Sequence, residues 1–563
     1  MDEFKKEIVR LVSKKYSISD SMLEIPPDQK LGDFALPCFG LAKEAKKDPK
    51  KIAEEIAEEV KESELIKEVK AVGPYVNFFV KKEKLSELVL PNVVKLKNDY
   101  GKSLIGKDKT IMVEFSGPNT NKPQHLGHIR NNLLGMSFSN ILEFAGHKVT
   151  RVNWVNDRGI HICKSMLAYK KWGNDKEPDI KPDHFVGDFY VMFNLKAQDK
   201  PELEEEAKEM LRKWEEGDKE TLALWRKMNN WVYKGFNETY ERLGIRFDNT
   251  YYESEVYEKG KKRIIEGVEK GIFKKTDDGA IYAPLQDFNL PDKILMRSDG
   301  TSLYIVSDIE LAKIRFDEYK MDKLIYVVAS EQNAYFQQLF KVFDLLGYEF
   351  ANKCIHMSYG MVYLPEGKMK SREGNVVDAD DLMDEVIQLS REDLKKRYEG
   401  LNETEIEKRA KAIGLGALKF FMLKHDHLKD MNYNPKESIS FEGETGPYVQ
   451  YTYARITSII NKFGKIIDKA DFSLLKAEEE KKLVKLIADF PEAIEESARN
   501  QRPEVVARYL LDLSHAFNEF YQACQVLAED EELKKARILL INCVRQVLKN
   551  GLGLLGIECL DEM

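Results

Sequence analysis

The spacing of hydrophobic positions changes three times along the chain, and each change predicts a different kind of structure. Up to about residue 105, amphipathic helical stretches (MDEFKKEIVRLVSKK and DPKKIAEEIAEEVKES) mix with strand-like runs (LGDFALP and the alternating AVGPYVNFFV), the pattern of a small α+β unit. At Thr110 the period switches to a strand, TIMVEF, then a loop rich in Gly, Pro and Asn (SGPNTNKP). A long helical stretch follows, HLGHIRNNLLGMSFSNILEFAG, and then a second strand, KVTRVNWV. Gly146 stands where a helix C-cap is expected, so these elements read as one β-α-β unit of a parallel, doubly wound sheet. In such sheets ligands bind beyond the carboxyl ends of the strands, which puts the crevice where TIMVEF ends.

Residues 160 to about 275 are charged and mainly helical, as in PELEEEAKEMLRKWEEGDKETLALWRKMNNWVYKGFNETYERLG, and read as an insertion between the halves of the sheet. Strands are predicted to resume at SLYIVSDI and KLIYVVAS, placing the second half of the sheet at about 280 to 350. Beyond KMKSREGN the apolar stripes are helical to the end, as in GPYVQYTYARITSIINKF and PEVVARYLLDLSHAFNEFYQAC. The expected architecture is therefore multi-domain α/β. A small α+β domain at 1–108 precedes a Rossmann-like catalytic domain at 109–385, and a helical connector at 386–440 leads to an all-α domain at 441–563.

Length agrees: 563 residues exceed one core at roughly 150 residues per domain. A net charge of −8 is not that of a dedicated nucleic-acid binder, so any RNA contact must come from local Lys and Arg patches. No apolar run approaches the roughly 20 residues of a membrane span, and the N-terminal stretch lacks a secretory core, which points to a cytoplasmic protein. The six cysteines (Cys38, Cys163, Cys354, Cys524, Cys543, Cys559) form no C-x-x-C pair, so buried thiols are expected and no cysteine zinc site.

The strongest chemical signal is the run Pro118 to His128, PNTNKPQHLGH, between a strand and a helix. Its two imidazoles, His125 and His128, flank Gly127 at the positive end of a helix, where donors can meet phosphate and a residue without a side chain lets an adenine ring approach. The second signal is the basic stretch Lys368, Met369, Lys370, Ser371, Arg372, about 240 residues later. Cations over an ATP site offset the charge that grows on the α-phosphate and the leaving pyrophosphate.

Together the two motifs resemble the HIGH and KMSKS signatures of class I aminoacyl-tRNA synthetases. The flanks EFSGPNTNKPQHLGHIRN, GKMKSREGN and GPYVQYTYARI, with LGDFALP and GPYVNFF near the N-terminus, are similar to the arginine branch of that family over nearly the whole chain. The resemblance implies an arginine–tRNA ligase with ATP as substrate, Mg²⁺ accompanying ATP, no zinc and no organic cofactor. It also implies L-arginine and arginine tRNA as partners, no membrane, and a monomer. ATP contacts are implied at His125, Gly127, His128, Lys368, Met369 and Ser371. Ser371 stands where the second lysine of KMSKS is usual, and the resemblance gives that lysine's task to Lys122. The N-terminal unit is implied to meet the tRNA elbow and the C-terminal helices the anticodon.

A planar guanidinium is best held by paired, charge-assisted bonds to carboxylates in a partly buried pocket. Tyr304 and Asp308, four apart in SLYIVSD, resemble the family's guanidinium-binding segment, and Glu253 resembles a second acidic contributor. By the same matching, Glu114, Asn119 and Gln332 fall where the family holds the remaining polar groups of the amino acid, its α-ammonium among them. WVNDRG, at Trp154 to Gly159, reads equally as crevice wall or plain turn. The G-x-G-x-x-G at Gly551 to Gly556 lacks a β-α-β setting and reads as a helix end, as does KHDHLKD with His425 and His427. The rival functions are another class I synthetase, a nucleotidyltransferase without tRNA, and a non-catalytic tRNA-binding descendant of a synthetase.

Overall fold

A computed structural model describes residues 2–26, 28–364, 377–398, 400–465, 467 and 469–563. Its centre is a five-stranded parallel sheet. We label its strands β1 (Thr110–Glu114), β2 (Lys148–Val155), β3 (Asn249–Tyr252), β4 (Lys323–Ala329) and β5 (Cys354–Tyr359), which lie in the order β5-β4-β1-β2-β3. The chain winds outward from β1 in both directions, so the strand order reverses beside β1 and opens a crevice at its carboxyl end.

Helix α1 (Leu126–Phe144) follows β1 and is buried on nearly all sides, as a helix between a sheet and a bundle must be. Gly135 permits the close approach, since a Cβ there would meet the Phe115 ring at 2.2 Å. The insertion comprises α2 (Ile160–Trp172), α3 (Pro182–Asp199), α4 (Glu202–Glu215) and α5 (Lys219–Leu243). After β3 comes α6 (Glu253–Glu269); α7 (Tyr304–Glu318) precedes β4, and α8 (Asn333–Leu345) follows it.

Three expectations are corrected. SLYIVSDI is no strand: Tyr304 opens α7, whose buried Ile305, Ile309 and Ala312 repeat at helical spacing, so tertiary burial overrides the β-branched composition. NTYY, inside the expected insertion, is instead the edge strand β3, paired with β2 from Val152↔Asn249 to Val155↔Tyr252. AVGPYVNFFV is a hairpin rather than one strand, folding at Gly73 (φ +59°) between Ile66–Val72 and Tyr75–Val80. With Phe34–Pro37 it forms the three-stranded antiparallel sheet of the N-terminal unit.

The long helices beyond β5 are α9 (Ala379–Arg397), α10 (Glu403–Lys424), α11 (Gly446–Phe463), α12 (Glu478–Asn500), α13 (Glu504–Ala523) and α14 (Glu531–Leu554). They pack as a helical bundle against α1, where Asn140 Nδ2 donates to Leu554 O at 3.3 Å. The glycine-rich run ends α14 and turns at Gly556 (φ +67°), while His425 caps α10 and His427 pairs with Glu504 at 3.2 Å. Among the described residues, no helix is long and apolar enough to cross a membrane.

Candidate active site

At the end of β1 the chain takes a tight, non-repeating path. Ser116 (φ +81°) and Gly117 (φ +60°) both adopt left-handed backbone, costly for a serine unless its neighbours hold it. They do: Ser116 N donates to Asn131 Oδ1, and Ser116 Oγ lies 2.7 Å from the Tyr240 hydroxyl of α5. Asn131 in turn donates to Val327 O at 2.7 Å, tying α1 to β4.

His125 is the N-cap of α1. Its Nδ1 accepts from Gly127 N at 3.1 Å, and His128 Nδ1 accepts from His125 N at 3.2 Å, a reciprocal capping box built from two imidazoles with ring centroids 4.0 Å apart. Because both Nδ1 atoms accept backbone N–H bonds, neutral rings carry their proton on Nε2 and keep it free to donate. Both rings are held neutral. Burial, then the neighbouring Lys122 charge, lowers His125 to about 4, and burial with His125 and Lys122 lowers His128 further below its usual value. Gly127 is required here by the cap: a Cβ would press on His125 Cε1 at 3.0 Å.

Across the crevice lie carboxylates. Glu114, the last residue of β1, is ion-paired with the fully buried Arg315 of α7. Asp308, one turn into α7, accepts from the Tyr335 hydroxyl and from the Trp154 side chain, and burial followed by the nearby Glu114 charge raises its carboxyl to about 7. Glu253, at the start of α6 and 3% exposed, is also raised to about 7, mainly by burial, against the pull of Arg158. Arg158 Nη1 stands 3.5 Å from Glu253 Oε1, whereas Glu253 Oε2 is buried without a partner. A buried carboxylate oxygen with no donor costs free energy and fits an incoming cation. Tyr304 opens α7 with 58% of its surface exposed, and the Glu253 and Arg158 charges both act on its hydroxyl. Asn119 and Gln332 are exposed, at the ends of the β1 loop and of β4. Asn119 pairs by a backbone bridge with Asn156.

Sequence reasoning left several of these residues unassigned. Arg158 lies over Tyr257 at 4.0 Å and Trp214 at 5.4 Å, and also pairs with Glu215 of α4 at 2.7 Å. Asp157 accepts from Ser254 N at 2.9 Å, Ser254 Oγ at 2.7 Å and Tyr233 at 3.1 Å, fixing the start of α6. WVNDRG thus ends β2 and ties it to the start of α6, and its place at that strand end was the available signal.

The insertion closes on the imidazole side. Gly187 of α3 lets that helix lie against Lys122 and Pro123, since a Cβ would meet Pro123 Cδ at 2.8 Å. Beyond it, Lys181 Nζ donates to Asp183 at 2.9 Å, Thr239 at 2.7 Å and Asp380 at 2.8 Å. Arg242 Nη1 lies 2.7 Å from Asp380 Oδ1, and His184 Nε2 lies 3.4 Å from Asp380 Oδ2. Against the upward pull of burial, His184, Lys181 and Arg242 hold the Asp380 carboxyl well below its usual value. Asp183, His184 and Asp380 lie close enough to share a cation, and the Lys181 ammonium already supplies that charge.

Lys368, Met369, Lys370 and Ser371 lie outside the described residues. The described chain on either side is anchored to α1: Arg130 donates to Met361 O at 2.9 Å, and Leu126 N donates to Val377 O at 2.9 Å.

A doubly wound sheet with two imidazoles capping the helix after its first strand, and acidic side chains at the neighbouring strand ends, is the arrangement of a class I tRNA synthetase catalytic domain. Residues 89–434 match the family described as tRNA synthetases class I (R), catalytic domain; residues 2–80 match the arginyl tRNA synthetase N terminal domain and 449–563 the DALR anticodon binding domain. The chain is 48% identical over 560 residues to an arginine–tRNA ligase of Treponema denticola, covering 96% of this chain and 94% of that one. It is 43% identical to one of Bacteroides thetaiotaomicron, covering 97% and 96%. The solved structure of the Thermus thermophilus arginyl-tRNA synthetase superposes with a TM-score of 0.83 at 27% identity, covering 100% of both chains. The chain belongs to the arginyl-tRNA synthetase family.

Proposed function

We propose that this crevice joins L-arginine to arginine tRNA in two steps. In the first, an oxygen of arginine's own carboxylate attacks the α-phosphorus of ATP, the bond to the bridging pyrophosphate oxygen breaks, and arginyl-adenylate and pyrophosphate result. His125 and His128 offer neutral Nε2–H donors to the phosphate, where preorganised donors supply most of the rate. Lys122 and Lys368 offset charge on the pyrophosphate, with Gly127, Met369 and Ser371 completing the ATP contacts. Mg²⁺ enters with ATP as part of the substrate. In the second step the 2′-hydroxyl of the terminal adenosine of tRNA attacks the acyl carbon and AMP leaves.

The guanidinium lies between Asp308 and Glu253 against the Tyr304 ring, and Glu114, Asn119 and Gln332 take the amino acid's other polar groups. The observation that carries this reading is the pair of raised carboxyls, one with an unpartnered buried oxygen, facing a helix end capped by two neutral imidazoles. A chain that had kept only tRNA binding would have no need of such a costly acidic pocket. The N-terminal unit meets the tRNA elbow and the C-terminal bundle the anticodon, with binding that weakens in salt. The protein works as a monomer in the cytoplasm and needs no zinc.

Pyrophosphate exchange measured with each amino acid, with and without tRNA, tests the proposal. Arginine should support exchange above every other amino acid in at least one of the two conditions. Failure with arginine in both, or a better response to another amino acid, rejects it.

A further inference from the structure

The two imidazoles are fixed by more than their own helix. On the side opposite the Gly127 cap, residues 124–126 are paired with residues 377–379: Leu126 N donates to Val377 O at 2.9 Å, Ala379 N donates to Gln124 O at 3.0 Å, and His125 faces Asp378 in an antiparallel bridge. The His125 backbone N–H, which this bridge places, is the donor that fixes the His128 ring. Val377 and Asp378 lie outside any helix, Asp378 with extended backbone, and Ala379 opens α9.

What holds them is the start of α9. Asp378 caps α9, accepting from Asp380 N at 2.8 Å. Two residues on, the Asp380 carboxylate is gripped by the insertion through Lys181, Thr239, Arg242 and His184. The packing leaves no slack: a Cβ on Gly235 of α5 would overlap Asp183 Oδ1 at 2.2 Å. The same helix α5 carries Tyr240, which braces Ser116 at the other end of the imidazole loop.

We infer that Asp380 is a positioning residue for adenylate formation: clamped by Lys181 and Arg242, it fixes the 377–379 segment that seats His125 and, through it, His128. The inference rests on the proposed role of those imidazoles. It separates rate from amino-acid affinity, because no member of the clamp touches Asp308 or Glu253.

The test is arginine-dependent pyrophosphate exchange by the full chain, with tRNA present, for the wild type, Asp380→Asn and Asp380→Glu. A misplacement of about 1 Å costs up to roughly a hundredfold in rate. Asp380→Asn should therefore lower kcat about 10- to 100-fold with the arginine KM unchanged, and Asp380→Glu should recover several-fold over it. A role limited to anchoring the insertion would instead raise the arginine KM along with the loss of rate, because the insertion also holds Arg158 and thus Glu253 through Glu215. That pattern, or a folded Asp380→Asn with wild-type kcat, overturns the inference. If Asp380→Asn does not fold, Arg242→Met, which leaves Lys181 on Asp380, should lower kcat about 3- to 10-fold with the same split, and an unchanged kcat there overturns it. A wild-type protein without exchange activity would instead overturn the role of the imidazoles.

Discussion

The two ends of the crevice are built in opposite ways. The described part of the proposed phosphate end comes from one contiguous stretch, residues 116–128, whose two imidazoles are fixed by backbone bonds and kept neutral by burial and the nearby Lys122 charge. The proposed amino-acid end gathers its charged and aromatic groups from five separate places, at Glu114, Trp154 to Arg158, Glu253, Tyr304 to Arg315 and Tyr335, with Asn119 and Gln332 beside them, and is dense in charge. Triphosphate brings its own negative charge and needs directed donors, whereas a guanidinium needs carboxylates whose charge must be managed while the site stands empty. Arg315 pairs with Glu114 and Arg158 with Glu253, and on the proposed function these resident guanidiniums do that managing beside the place of a transient one.

Breaking the phosphate end should have the largest effect. His128→Ala removes one preorganised donor and should lower kcat for pyrophosphate exchange by roughly a hundredfold or more, about 3 kcal/mol, with little change in the arginine KM. A folded variant with full activity would reject that role.

Breaking the amino-acid end should act on the other parameter. Asp308→Asn keeps the shape but not the charge, and should raise the arginine KM roughly 30- to 100-fold, about 2–3 kcal/mol, while leaving the ATP KM near its starting value. Equal changes in both would place Asp308 outside the amino-acid site.

Proton concentration sharpens the same contrast without mutation. Asp308 and Glu253 sit near 7 because burial penalises their charged forms, and arginine's guanidinium stays charged throughout. Below pH 7 the carboxyls are protonated and attract it weakly; above, they are ionised. The arginine KM should therefore fall by roughly tenfold between pH 6 and pH 8 for one such group. His125, at about 4, does not titrate in that window, so the ATP KM should stay flat. An arginine KM that rises over this range would contradict the sign.

The contrast also explains what could be read from the sequence. Periodicity was enough for β1, α1 and β2, and a contiguous motif was enough for His125, Gly127 and His128. The C-terminal helices were legible for the same local reason, whereas the N-terminal antiparallel sheet was not, because AVGPYVNFFV folds back at Gly73. At the amino-acid end, eight residues rich in β-branched side chains looked like a strand, yet α7 places Tyr304 and Asp308 one turn apart, on a helical face rather than at a strand end. β3, only four residues long, drew its identity from pairing with β2 rather than from its own pattern. Arg158, Arg315 and Tyr335 had no motif to announce them, because their meaning lies in carboxylates far away in the chain. The Asp380 clamp was hidden in the same way, uniting residues 181, 239, 242 and 380.

The unpartnered oxygen of Glu253 bears on a practical choice. Guanidinium chloride, a common agent for measuring folding stability, supplies the bare head group of the amino acid proposed to bind there. At low concentration it would act as a ligand and add stability before it removed any, bending the unfolding curve at its foot. Urea, flat like guanidinium but uncharged, lacks the charge that draws guanidinium to these carboxylates and should give the straighter baseline.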